Sequence, residues 1–397
     1  MMKERAILLF FVLIFSGNLF AQDKQSDTAS VYRVIIPESK QSLLKNVDII
    51  ANTHMGFRSD FNDQEYIGSK FKFEQFRLEI KGYVHKKIFF RFRHRYTSSF
   101  EPQSVDKIIK GVDMAYLRFD LSDKWQFTAG KMIADWGGIE LDYNPIDIYQ
   151  YSDIIAHGDF FMTGIAANYK PSKNHSIIFQ LLDSRTGTYD EIYDTVPGVT
   201  PAKAPLAFVA NWNGKLFGGK LLTTWSYSYF TEAKGAGMNL IALGNQFKSK
   251  RFDIAYDFKI SFEDLDRTGI ISDIVPDDVY EYSMRNTVYR SHWTRLTFRV
   301  TPQLHLNLDA FVDCALWRND DPEYPEMKTG NLIRTVYSYI PAVEYYPWKG
   351  LNLKFFVSYV SRFYRFSDYA KNRPGTGFDD YNTSRITIGL ISPLHIM

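Results

Sequence analysis

Arg91, Arg93 and Arg95 stand two residues apart in the run FFRFRHRY, Phe89 to Tyr96. Strand side chains alternate between faces, so the three guanidiniums form a column with a spacing of about 7 Å, while Phe90, Phe92, His94 and Tyr96 line the opposite face. Guanidiniums stay charged at physiological pH and offer paired donors to carboxylate or phosphate, so such a column is a track for anions. Arg77 and Arg118 have matching parity on the neighbouring strands and extend it. Pairing with Glu79 or Asp120 would mute it and leave only a solvated face.

A second feature has the opposite sign. The stretch 134–161 holds Asp135, Glu140, Asp142, Asp147, Asp153 and Asp159 with no Lys or Arg. Connections this long are more often functional than idle. Folded inward, this one would narrow a channel and oppose the arginine wall, giving a transverse field that orients polar solutes. Left outside, it would hold cations or lipopolysaccharide at a rim.

Catalytic and metal chemistry finds no such support. The eight histidines form no HExxH pair, Gly130-Lys131 lacks the rest of a phosphate loop, and no GxSxG elbow occurs. No catalytic residue, metal ligand or cofactor is expected. The carboxylates Glu263, Asp264, Asp266, Asp320, Asp321 and Glu323 read as solvated loop charge, with calcium binding the lesser alternative. Cys314, the only cysteine, excludes an intrachain disulfide and is expected at the outer face of a strand.

The elements that must position these residues are strands. Alternation recurs near 47–58, 68–82, 88–98, 111–121, 125–132, 162–170, 176–183, 204–212, 217–231, 238–247, 252–263, 289–300, 304–316, 332–345, 351–366 and 382–392. Phe252, Ile254, Tyr256, Phe258, Ile260 and Phe262 share one face against Asp253, Asp257, Lys259 and Glu263 on the other. Phe311 is the one exception on the polar face of its strand, and Phe356 stands with Asn352, Lys354 and Ser358 opposite the apolar face of its own. Short links near 83–87, 122–124, 171–175, 213–216, 248–251, 301–303 and 346–350 interleave with long ones near 59–67, 99–110, 133–161, 184–203, 232–237, 264–288, 317–331 and 367–381.

Sixteen antiparallel strands with short turns at one end and long loops at the other predict an all-β transmembrane barrel, termini at the short-turn end. In that setting the aromatic face of FFRFRHRY meets lipid and the arginines meet the lumen. A one-residue slip would push three arginines into hydrocarbon at about 2–4 kcal/mol each near the midplane, which fixes the register. A soluble sandwich would give its turns no reason to sort by length.

Composition agrees. Aromatics reach 16%, more than a soluble core needs, whereas charged residues at 23% are ordinary. A basic start MMKER, the apolar run Ala6 to Phe15 and Ala21 read as a signal peptide over 1–21, followed by a polar periplasmic segment 22–45 and the barrel over 46–397. A formal charge of +2, lowered by one when Lys3, Glu4 and Arg5 are removed, argues against a nucleic-acid partner.

The runs FRLEIKGYVHKKIFFRFRHRY and YLRFDLSDKWQFTAGKMIADWGGIELDYNP resemble porins of the phosphate-selective porin O and P family as they occur in Bacteroidetes-type outer membranes, most specifically over residues 70–150. The resemblance implies a trimeric, sixteen-stranded porin with its third loop as constriction and an arginine ladder, here Arg91, Arg93 and Arg95, as anion path. Two departures stand out. The loop is acidic and no lysine cluster shows where phosphate-selecting members are lysine-rich, and the chain ends SPLHIM instead of in an aromatic residue. The expected function is passive diffusion of small polar solutes and ions with local anion preference, not enzymatic, the partners being outer-membrane lipid and lipopolysaccharide, small anions and two further copies of the chain. A non-conducting structural or binding barrel of a surface complex is the alternative.

Overall fold

The computed structural model describes residues 46–97, 106–274, 282–318, 331–372 and 378–396. The expected signal peptide, the segment 22–45 and Asp320, Asp321 and Glu323 lie outside the described residues.

Sixteen strands close into one antiparallel barrel in which each pairs with its sequence neighbours and the last returns to the first. They are β1 Val47–Asn62, β2 Glu65–His85, β3 Ile88–Arg95, β4 Val112–Asp120, β5 Trp125–Ile133, β6 Phe161–Ser172, β7 His175–Asp183, β8 Leu206–Leu216, β9 Leu221–Ala233, β10 Ala236–Lys248, β11 Phe252–Leu265, β12 Arg285–Arg299, β13 Leu304–Trp317, β14 Asn331–Tyr345, β15 Lys354–Phe366 and β16 Tyr381–His395. Closure gives every strand two partners, so no edge is left with unpaired backbone groups, the condition for crossing lipid in strands. No helix among the described residues is long and apolar enough to cross a membrane.

The aromatic face of each strand is turned outward. Phe92, Tyr96, Phe252, Tyr256, Phe298, Tyr339 and Phe355 all rank among the exposed large apolar side chains. Cys314 sits on this outward face of β13, paired in register with Arg290 and Thr335 and largely covered.

Two links expected to be extended are tight turns. Residues 63–64 and 234–235 join strands that run on past the expected ends, and Asp63, Gln64 and Gly235 take positive φ values of 43°, 74° and 75°. Left-handed turn residues match the twist of paired strands, so the hairpins β1–β2 and β9–β10 close in two residues.

The interior is only partly wet. Trp136, Ile154, Ile155 and Phe160 of the link 134–160 pack inside the barrel with Met162, Leu182, Val209, Phe230, Leu240 and Tyr289 from the wall. A second internal cluster joins Ile139, Ile146 and Tyr149 to Trp293, Phe311, Ile340 and Phe356. Phe311 and Phe356 therefore break the alternation because an inward loop covers them.

Candidate constriction and its arginine wall

The link 134–160 crosses the lumen as two short helices, Gly138–Asp142 and Asp153–Ala156, with a 3-10 turn Pro145–Asp147 between them. Its anchors go round most of the wall. The Ile139 and Glu140 N–H groups donate to Asp257 of β11 at 3.0 and 2.7 Å, and Lys259 reaches Glu140 at 2.7 Å and Asp257 at 3.2 Å. Glu140 also accepts from the Ser152 N–H and hydroxyl at 2.7 and 2.6 Å, tying the two helices together. Gly138 makes this docking possible: its φ is +72°, and a Cβ there would stand 2.8 Å from Asp257 Oδ2.

Further along, Asn144 donates to Asn52 of β1 at 3.0 Å and Lys354 of β15 reaches Asp147 at 2.8 Å. Tyr149 donates to Glu344 of β14 at 2.9 Å. Arg385 of β16 holds the Tyr149 carbonyl and Gln150, and Asp153 is clamped by Arg334 of β14 and Arg362 of β15. Burial opposes its charge, yet the two guanidiniums hold the Asp153 carboxyl below the usual aspartate range.

These pairings change the expected role of the acidic stretch. Glu140, Asp147 and Asp153 face the far wall and neutralise its Lys and Arg residues, so they do not oppose the arginine column. Asp135 is held through its backbone by Gln180 and Asn211. Of the six acidic residues of the stretch only Asp142 and Asp159 line the space beside the column. Burial, helped by Asp257, pushes Asp142 up to about 6, and burial with Asp142 nearby pushes Asp135 up to about 7.

That space is a cavity of about 940 Å³ between β1–β5 and the loop. Its lining runs from Pro393 and His395, near the short-turn end, to Lys110, Asp159 and Thr186 at the long-loop end. Arg77, Arg91, Arg93 and Arg95 stand on one side; Leu141, Tyr143, Pro145, Tyr151 and Ile155 face them from the loop. Arg118 does not reach this cavity. It lies nearer the short turns, 3.0 Å from Asp120 and with its guanidinium over the Phe89 ring.

The residue that organises the column was missed in the sequence. Asp113, fully buried, faces the Nε atoms of Arg77 and Arg93 at 3.2 Å each and of Arg95 at 3.7 Å. Simple alternation places Asp113 on the lipid face with Ala115 and Leu117. A bulge opposite Arg93 and His94 leaves it unpaired in the ladder and turns it inward. Arg91 pairs with Glu79 at 3.1 Å, the muting contact the sequence had raised.

A second basic feature also contradicts the linear reading. Lys170, Lys173, Lys215 and Lys248 line one cavity of about 550 Å³ at the short-turn end, together with His175 and the loop residues Asp142 and Tyr143. Lys170 and Lys173 flank the β6–β7 turn, while Lys215 and Lys248 come from the ends of β8 and β10, so no run of lysines announces them. A lysine cluster is present after all.

A closed sixteen-strand antiparallel barrel with aromatic residues outward and a loop folded into its lumen is an outer-membrane porin. The family model of the phosphate-selective porin O and P matches residues 47–391, and the chain belongs to that family. Solved structures share its fold: the outer-membrane channel DcaP of Acinetobacter baumannii, at 12% identity and TM-score 0.55, covers 87% of this chain and 98% of its own. The anion-selective porin from Comamonas acidovorans, at 8% identity and TM-score 0.51, covers 88% and 99%. The trimer form of OmpT of Vibrio cholerae, at 9% identity and TM-score 0.51, covers 87% and 98%. No curated protein matches the chain. It is a channel protein of the bacterial outer membrane.

Proposed function

We propose that the channel passes small polar solutes and ions by passive diffusion and prefers anions at its constriction. The observation that carries this reading is the carboxylate shared at Asp113: the buried guanidiniums of Arg77 and Arg93 both reach Asp113 Oδ2 at 3.2 Å, two cations to one anion on the wall of a cavity that Arg91 and Arg95 also line. The loop face opposite is largely apolar, with Leu141, Tyr143, Pro145, Tyr151 and Ile155. A cationic wall facing apolar side chains suits small organic anions with a carboxylate or phosphate at one end and a hydrocarbon body behind it. The lysines at the short-turn end favour anions in that mouth too. The Comamonas porin named anion-selective and the OmpT trimer support an anion preference and a homotrimer, and residues 70–150 support the Bacteroidetes-type branch of the family.

Arg91→Gln, Arg93→Gln and Arg95→Gln combined, compared with the native channel in planar bilayers under a salt gradient, tests the reading. The reversal potential moves toward cation preference; an unchanged potential rejects the cationic track and leaves the barrel intact. A second reading has its own observation, the density of anchors between the loop and the wall. A plugged structural barrel would show no conductance at all in the same experiment.

A further inference from the structure

The lipid-facing surface of β12 contains a guanidinium where alternation calls for apolar side chains. Val288, Arg290, His292, Thr294, Leu296 and Phe298 share the outward face, since Tyr289, Ser291, Trp293 and Arg295 are buried inside. His292 is satisfied by the Tyr256 hydroxyl at 2.9 Å. Arg290 is exposed and has only the Cys314 sulfur, at 3.8 Å.

Its depth follows from the strand. Phe298 pairs with Phe252 in the ring of exposed aromatics at the short-turn end. Climbing from Phe298 to Arg290 at about 3.4 Å per residue and a tilt of about 40° gives a rise of roughly 20 Å, against an apolar band about 25 Å tall. Arg290 thus lies about 5 Å below the cell-surface edge of the apolar band, near enough for its long side chain to reach up to the lipid head groups.

A second outward arginine lies above it. Arg318 follows β13, donates its backbone N–H to the Asn286 carbonyl at 2.8 Å, and lays its guanidinium 4.9 Å over the outward Phe262 ring. One apolar row, Phe262, Val288 and Leu316, separates the two arginines in register. Among the described residues neither has an ion pair. The β11 carboxylate next to this row, Asp264, instead accepts the Gly237 N–H at 2.8 Å.

We propose that Arg290 and Arg318 bind a phosphate group of the phosphorylated glycolipid that fills the outer leaflet, with the half-buried Phe262 and Leu316, on either side of the covered Val288, bedding the start of an acyl chain. Two cations without carboxylate partners among the described residues, within side-chain reach of the head groups, at the long-loop end and on either side of an apolar strip, match an anionic sugar phosphate carrying hydrocarbon. The site lies on the outside of the wall and is independent of conduction.

The test uses the full chain refolded in detergent, native and with Arg290→Gln and Arg318→Gln combined, titrated with bisphosphorylated lipid A. Dephosphorylated lipid A, phosphatidylglycerol and inorganic phosphate form the other arms. Heat-modifiable migration and single-channel conductance, both expected unchanged in the variant, establish that it folds. Lipid A binding is expected to weaken about tenfold or more in the double variant. Arg290→Lys with Arg318→Lys should recover part of the loss, and dephosphorylated lipid A should bind the native chain as weakly as the variant. Equal lipid A affinity for native and variant overturns the site. Equal binding of phosphatidylglycerol, or full competition by inorganic phosphate, overturns the glycolipid as its occupant.

Discussion

Arg93 Nε lies 3.2 Å from Asp113 Oδ2, and Arg77 Nε lies at the same distance from the same oxygen, so one carboxylate turned inward by a bulge sits at the focus of the arginine column. The bulge decides both the sign and the shape of the wall. It keeps a charge out of hydrocarbon and places it where one carboxylate binds the guanidiniums of Arg77 and Arg93 together.

Asp113→Asn should therefore raise anion preference. The variant keeps shape and loses one negative charge, so the chloride-to-potassium permeability ratio from reversal potentials should rise. Freed of their shared anion, the arginines also repel one another, and the barrel should unfold at lower denaturant concentration.

Asp153→Ala should loosen the constriction. It leaves Arg334 and Arg362 without their common carboxylate inside the barrel, a loss of about 3–5 kcal/mol by analogy with other broken buried pairs. Urea unfolding checks the stability, and single-channel records should show larger and noisier open currents as the loop detaches.

Gly138→Ala should act on the same loop from its other end. The left-handed φ of +72° and the approach of Asp257 leave no room for a methyl group, so the Ile139 and Glu140 N–H bonds to Asp257 must give way. Expected readouts are faster proteolysis within 134–160 and higher conductance, with the barrel's heat-modifiable migration retained.

Selectivity should depend on pH through Asp142. Its carboxyl, pushed up to about 6, is neutral below that pH and negative above it. Anion preference should fall as pH rises through that value, and Asp142→Asn should flatten the fall. Reversal potentials measured over a pH series check both.

Lys173→Glu, Lys215→Glu and Lys248→Glu combined should weaken anion preference most at low salt. Exposed charges act across a Debye length of about 10 Å at 0.1 M salt and about 3 Å at 1 M, so the difference from the native channel should shrink at high salt. A salt-independent difference would assign these lysines to direct contacts.

The barrel was legible because it rests on a local rule. Alternation of apolar and polar residues forces every strand to present one face to lipid and one to the inside, and chemistry at Arg91, Arg93 and Arg95 fixes which is which. Even the exceptions carried information, since Phe311 and Phe356 on polar faces mark where the inward loop covers the wall. The links expected at 59–67 and 232–237 shrink to the two-residue turns 63–64 and 234–235 because the strands run on, a length that strand pairing sets and alternation alone does not.

The sequence by itself determined the strands, their facing, the closed wall and the presence of an arginine column. Only the tertiary structure decided how charge is distributed around the pore. Asp113 owes its place to a register shift, Glu140, Asp147 and Asp153 are claimed by cations from strands far along the chain, and four lysines meet from three separate turns. Coulomb partners are chosen by distance in space, which closure of the sheet sets and spacing along the chain does not.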